Sequence, residues 1–436
     1  MAILTRSSGG WKRAPGRRAL VLVGLAAFAT TAGACGGRTP LRQGTTEPEA
    51  MDAAPDDGTD ALADVTGNGD ADGDAADATP DRPIVPPPVG RAAAVFAGPM
   101  HSCALTTNGQ LACWGNNEFG QLGDGTTKSR SAPTPVALGE VTSVGLGKSH
   151  TCAAKADGAV WCWGENTWGQ LGKGTKGVPV SQPAPALLGN AITIANGQYF
   201  SCAQTVDGRV SCWGSNLNGN LGNGTTADAT KPTEVVNVGP ADDLAARFWH
   251  ACAVTSGAVR CWGLNDHGQL GDATTTNRKA PVSVVGITDA VKVTLGFEHS
   301  CVLRAGGRVA CWGGNDHGQL GDGSQKASRV PVPIAFAEPV VDVAAGGYFT
   351  CVITVSGALQ CVGANTYGEL GNGSTVLDSF AFVTTIPSGV RAVAANYLHA
   401  CAILESNALL CWGANIYGEV GDGTTQERRS PVTIDL

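Results

Sequence analysis

A chain of 436 residues is long enough to bury a large core, and its 61 glycines argue against a helical bundle, because each helix-interior glycine costs roughly 1 kcal/mol relative to alanine. The net charge of −8 excludes a general nucleic-acid binder, which needs a basic face to displace counterions from phosphates. A turn-rich β protein fits this composition.

Charge divides the chain into three zones. Residues 1–34 read as a signal peptide: Lys12, Arg13, Arg17 and Arg18 precede the apolar run Ala19–Ala34, which is too short and too small-residue-rich for a comfortable membrane span. The sequence Ala32-Gly33-Ala34-Cys35 resembles a bacterial lipobox, with Ala32 where a larger aliphatic residue is usual. Lipidation of Cys35 is the expectation, and ordinary cleavage after Ala34 is the alternative. By resemblance to lipoprotein sorting rules, in which an aspartate after the cysteine retains the protein, Gly36 implies the outer membrane, with plain secretion as the alternative.

Residues 35–91 form an acidic linker rich in Asp, Ala, Gly, Thr and Pro, with too little apolar area to offset chain entropy. Within it, the stretch from Asn68 to Asp74 echoes an EF-hand loop, but the twelfth position falls on Thr79 and no helix pattern flanks it. The segment from Ile84 to Val89 reads as polyproline.

Residues 92–436 hold one unit seven times over, its first cysteine at 103, 152, 202, 252, 301, 351 and 401. A period near 50 in β-favouring sequence predicts a propeller or solenoid of small sheets. The terminal Ser430–Ile434 repeats a strand, such as Ala132–Val136, that the first unit lacks at its start. This predicts ring closure by the C-terminal strand completing the first blade.

Each unit carries Gly-x-x-(His/Phe)-x-Cys, a hairpin, and then a stretch best seen from Trp114 to Thr126. These units resemble the repeats of the regulator of chromosome condensation, which implies an all-β, seven-bladed β-propeller.

The cysteines depart from the eukaryotic pattern of that family. In the first unit a three-residue Thr107-Asn108-Gly109 turn with Gly109 left-handed sets Cys103 opposite Cys113. Gly158, Gly208, Gly307, Gly357 and Asn407 supply the same place in other units, giving Cys152–Cys162, Cys202–Cys212, Cys301–Cys311, Cys351–Cys361 and Cys401–Cys411. A two-residue Ser256-Gly257 turn keeps Cys252 opposite Cys261. Each pair falls at a non-hydrogen-bonded site, where Cα atoms lie about 4.5 Å apart, inside disulfide range. Seven intra-hairpin disulfides then leave Cys35 alone at the end of the signal. Zinc held by His101, Cys103 and Cys113 is the weaker reading, because the histidine place is Phe200 and Phe349 in two units.

His101, His150, His250, His299 and His399 could face a common channel or serve packing, and the two phenylalanines favour packing. The tryptophans of the Cys-Trp-Gly motif are expected between blades; blade six has Val362 instead and is expected to be looser. No unit holds a nucleophile, base and orienter that the others lack, so catalysis, a cofactor and a metal are not expected.

Binding surfaces are more informative. Phe119, Trp168, Asn218, His267, His317, Tyr367 and Tyr417 occupy equivalent loop positions, where rings can anchor an interface or pack on the neighbouring blade. A second position, ahead of the His/Phe site, clusters Tyr199, Trp249 and Tyr348 in a lopsided set. The family resemblance implies guanine-nucleotide exchange for its founding nuclear member, but an exported chain does not meet that partner. A secreted protein of this fold, the second β-lactamase inhibitor protein, is similar in architecture and binds a folded enzyme through loop aromatics. The expected role is a monomeric, non-catalytic envelope lipoprotein binding an unidentified envelope or secreted protein, touching the membrane through its lipid alone. Inhibition of a specific enzyme such as a β-lactamase is one alternative. An envelope enzyme acting on polysaccharide is the other; it would need carboxylates converging from Glu118, Glu165, Asp266, Asp316, Glu369 and Glu419, which are scattered one per blade.

Overall fold

A computed structural model describes residues 91–436. The signal peptide, Cys35, the calcium-like stretch and nearly all of the linker lie outside the described residues. Seven antiparallel four-stranded sheets follow one another, each built from four consecutive strands. In blade one these are Ala92–Ala97, His101–Thr106, Leu111–Gly115 and Arg130–Val136. The fold is an all-β seven-bladed propeller.

The closure expectation is corrected here. Arg428–Ile434 pairs with Leu409–Gly413 of its own seventh blade, and blade one has its own fourth strand, with Leu111 opposite Val136. The cause is local: the loop after Gly115 doubles back, so Gly115 faces Arg130 and the fourth strand must lie beside the third. That strand is the outer edge, where Pro133 and Pro135 cost no ladder bond. The ring closes by packing instead. Ala92, Ala104 and Trp114 share a buried cluster with Ile403, Leu409 and Val420. Across the same seam Ala92 N donates to Asn407 O at 3.0 Å, and Asn396 Nδ2 donates to Ala97 O at 2.9 Å.

All seven hairpin disulfides are present, with Cα atoms 4.0–4.1 Å apart, closer than the sequence-based expectation. Gly109 takes the left-handed place at φ 82°, and its N–H donates to Thr106 O. Ser256 and Gly257 form the shorter turn, both at positive φ, with Cys252 opposite Cys261. Paired thiols cannot serve as zinc thiolates. Seven buried bridges point to an oxidising compartment.

Adjacent blades share one recurrent joint. Gln121 O accepts Trp163 Nε1 and Thr151 Oγ1 from the next blade, both at 2.8 Å. The Thr151 hydroxyl, having given its proton to that carbonyl, accepts from His101 Nε2 at 2.8 Å. The imidazole is thus a neutral Nε2–H tautomer, and burial pushes its pKa down to about 3. His150, His250, His299 and His399 meet hydroxyls of the following blade in the same way. The histidines are inter-blade links, and packing, not a channel-facing ring, is their role. Gly123 matters at this joint, because a Cβ there would lie 2.6 Å from Trp163 Nε1.

The joint between blades five and six lacks one donor. Gln319 O accepts Thr350 Oγ1, but Val362 has no N–H to offer. Phe382 from the outer strand comes against Gly321 there and stacks edge-on with Phe336 at 4.8 Å. An open groove of about 630 Å³ remains, lined in part by Val332, Phe336 and Phe380.

Trp163→Phe removes one of two donors and is expected to cost about 1 kcal/mol. Thr151→Val also strips His101 Nε2 of its acceptor and should cost about 2–3 kcal/mol. Together they should cost more than the sum, measured by urea denaturation as a double-mutant cycle.

Candidate functional site

The two sets of candidate positions lie on one face. His101 pairs with Gly115, so the loop between strands one and two and the long loop between strands three and four emerge at the same end of each blade. The disulfide hairpin turns emerge at the other. Ala92 is opposite Thr106, so the chain enters the propeller from the turn face, away from the loop face.

The long loops are held from inside. Asn117, fully buried, donates through Nδ2 to Thr126 O at 3.1 Å and Lys128 O at 3.0 Å, while its Oδ1 accepts Leu122 N at 2.9 Å. Asn216, Asn265, Asn315 and Asn415 repeat this cage. Asp124 caps the same loop and is ion-paired with Arg130 at 2.9 Å. Hydrogen bonds from Thr126 and the Arg130 guanidinium outweigh burial and hold its carboxyl below the usual range.

A second internal residue aims the rim. Gln121 Oε1 accepts Phe119 N at 3.0 Å, and Gln170, Gln269 and Gln319 do the same for Trp168, His267 and His317. In blades six and seven Glu369 and Glu419 take this place, accepting Tyr367 N and Tyr417 N at 2.8 Å. These two glutamates are buried and support the loops from inside. Burial pushes both carboxyls up to about 7. Blade three has Asn220, whose shorter side chain turns to Ser215 O.

The rim rings do not act alike. Trp168 is 40% exposed and Tyr417 37% exposed; Phe119 and Tyr367 are half-buried. No ring contact joins these four to one another. On blades three to six the structure brings the two sets together. Tyr199 and Trp249 lie 5.4 Å apart between centroids, and Tyr348 lies 5.2 Å from His317 of the rim. His267 Nε2 is 3.6 Å from Glu298 Oε2. Burial, with the Glu298 carboxylate adding to it, pushes the Tyr348 phenol up.

Two rings and a charge missed by the sequence reading complete this half. Phe297 bridges Phe248, at 4.3 Å, and Tyr348, at 5.5 Å. Phe248 also reaches Tyr397 of blade seven at 5.9 Å. Beside it Arg247 Nη1 donates to Ala395 O at 3.1 Å, again from blade four to blade seven. Burial pushes this guanidinium down to about 10. A signal was present: most units carry glycine where blade four has Arg247 and blade seven Asn396. In these two blades a tight turn replaces the longer loop, with Phe248 and Tyr397 at positive φ.

Comparison with known proteins agrees with this architecture. The regulator of chromosome condensation (RCC1) repeat model matches residues 108–154, 157–204, 207–253, 256–303 and 306–353. A second RCC1 repeat model matches five segments, from 92–121 to 390–419. The chain belongs to the RCC1 repeat family. Among solved structures, human WBSCR16 aligns with a TM-score of 0.68 at 20% identity, covering 75% of this chain and 94% of that one. Prp20p from Saccharomyces cerevisiae, whose structure was described with its binding to Gsp1p and histones, aligns at 0.69 and 21% identity, covering 77% and 88%. At these identities the likeness is one of fold. The RCC1-type propeller is a scaffold for protein interaction.

The buried glutamates give a pH dependence. Their folded pKa lies above the unfolded value, so their stabilisation is full below about pH 4.5 and is lost as pH rises through about 7. Glu369→Gln with Glu419→Gln, copying the other blades, should raise stability at pH 8 by on the order of 2 kcal/mol per site and leave it unchanged near pH 4. Thermal melts of both forms across that range are the check.

Proposed function

We propose that the protein is a non-catalytic, lipid-anchored envelope protein whose propeller binds a protein partner through its loop face. The observation that carries this reading is the directed rim: six ring-bearing side chains on equivalent loops, each with its backbone N–H pinned from inside by a glutamine or glutamate. A pinned loop backbone loses little entropy on contact with a partner, which is how preorganised interfaces gain affinity. Entry of the chain on the turn face is compatible with it, since the point of entry at Ala92 does not lie among the loop-face rings. The buried disulfides support export.

Two measurements test it. Cys35→Ser should abolish labelling by a radioactive fatty acid and move the protein from the membrane to the soluble fraction; unchanged membrane recovery would remove the anchor. Immobilised full-length protein should retain a specific envelope or secreted protein that a folded variant with Phe119, Trp168, Tyr367 and Tyr417 changed to Ala does not. Retention by both forms would assign those rings to packing. Tight inhibition of a β-lactamase would make that enzyme the partner.

A further inference from the structure

We propose that the part of the loop face formed by blades four to six receives a lysine or arginine side chain from a basic segment of the partner protein. This inference rests on the loop-face reading above and names the chemistry of what that face takes.

Three observations converge. The first is the ring surface: Trp249, Phe297 and Tyr348 are each partly exposed, with Phe297 next to Glu298 in the chain and Tyr348 within the reach of its charge, and ring faces carry the negative side of the aromatic quadrupole. The second is carboxylate charge that no lysine or arginine neutralises, with only His267 and His317 acting against it. Glu298 keeps 18% of its side chain exposed, and its one ion-pair contact is His267 at 3.6 Å. Asp266 and Asp316, exposed on the neighbouring loops, act on Glu298 and help hold its carboxyl above the usual range, after burial as the larger cause. Among the described residues no lysine or arginine lies within ion-pair distance of these three acids. Three loop acids elsewhere are neutralised: Asp124 by Arg130, Asp272 by Arg278 and Asp422 by Arg428. Arg247, two residues before Trp249, is spent across the channel on Ala395 O, and Arg329, which packs against Gly268, makes no ion pair with Asp266.

The third is that two other loop-face rings carry cations of this protein's own. Lys148 Nζ sits 5.8 Å from the Tyr199 centroid, and Lys176 Nζ sits 5.7 Å from that of Trp168. Among the described residues no cation sits over Trp249, Phe297 or Tyr348. A partner's cation placed there meets ring faces and uncompensated carboxylates together, the combination in which both contacts strengthen as water leaves.

The probe is fluorescein-labelled hexa-arginine, read by anisotropy against the full-length protein, with hexa-citrulline as the uncharged isostere. Hexa-arginine should bind saturably and hexa-citrulline should not. The triple variant Asp266→Asn, Glu298→Gln, Asp316→Asn should lose about tenfold in affinity, as should Trp249→Ala. A triple variant with the same charge change on the turn face, Glu140→Gln, Asp157→Asn, Asp207→Asn, should bind within about twofold of the parent, since screened charges on the far face contribute little. Equal loss in the two triple variants, or equal binding of hexa-citrulline, overturns the proposal, and thermal melts establish that each variant is folded. If the envelope partner is retained equally by the parent and the loop-face triple variant, this inference fails while the loop-face reading stands.

Discussion

The propeller depends on one backbone carbonyl repeated around the ring. In blade one it belongs to Gln121, and it accepts the indole N–H and the threonine hydroxyl of the next blade together. A carbonyl has two lone pairs, and this one uses both on the neighbour. The arrangement sits in a dry interface: Trp163 and Thr151 are fully buried, so neither donor nor acceptor could turn to water without a desolvation penalty. Each blade buries its face only against the next, and the joint sets the angle at which it does so.

The same residue links packing to function. Gln121 gives its main-chain oxygen to the neighbour and its side-chain oxygen to Phe119 N. Inter-blade geometry and rim direction are therefore coupled through one side chain, with the asparagine cage holding the rest of the loop. A loop built this way is a rigid mount, unlike most surface connections, and it can change its outward residue without changing its shape. Such mounts let one repeat present Phe119, Trp168, His267 or Tyr417 in turn.

What distinguishes the blades from one another is their departures from the repeat. Blade four replaces a glycine with Arg247 and tightens its turn, and its Arg247 and Phe248 cross the channel to blade seven. Blade six gives up its tryptophan for Val362. Blades six and seven exchange glutamine for buried glutamate. These changes break the sevenfold symmetry of the repeat. Membership of the RCC1 repeat family explains the frame and not these exceptions.

The sequence by itself determined the number of blades, every disulfide pair and the left-handed turn positions. Each follows from local chemistry: a 49- or 50-residue step, a hairpin count, and a glycine or asparagine where φ must be positive. It also placed the tryptophans between blades, since six of seven units carry one. The tertiary structure alone decided how the ring closes, because the last strand's sequence suits either end of the ring and only the doubling-back of the preceding loop selects its own blade. It alone showed Glu369 and Glu419 as internal supports, since burial is not visible in a residue's identity. And it alone joined His267 to Glu298 and His317 to Tyr348, residues of different units whose contact is made by the curvature of the ring.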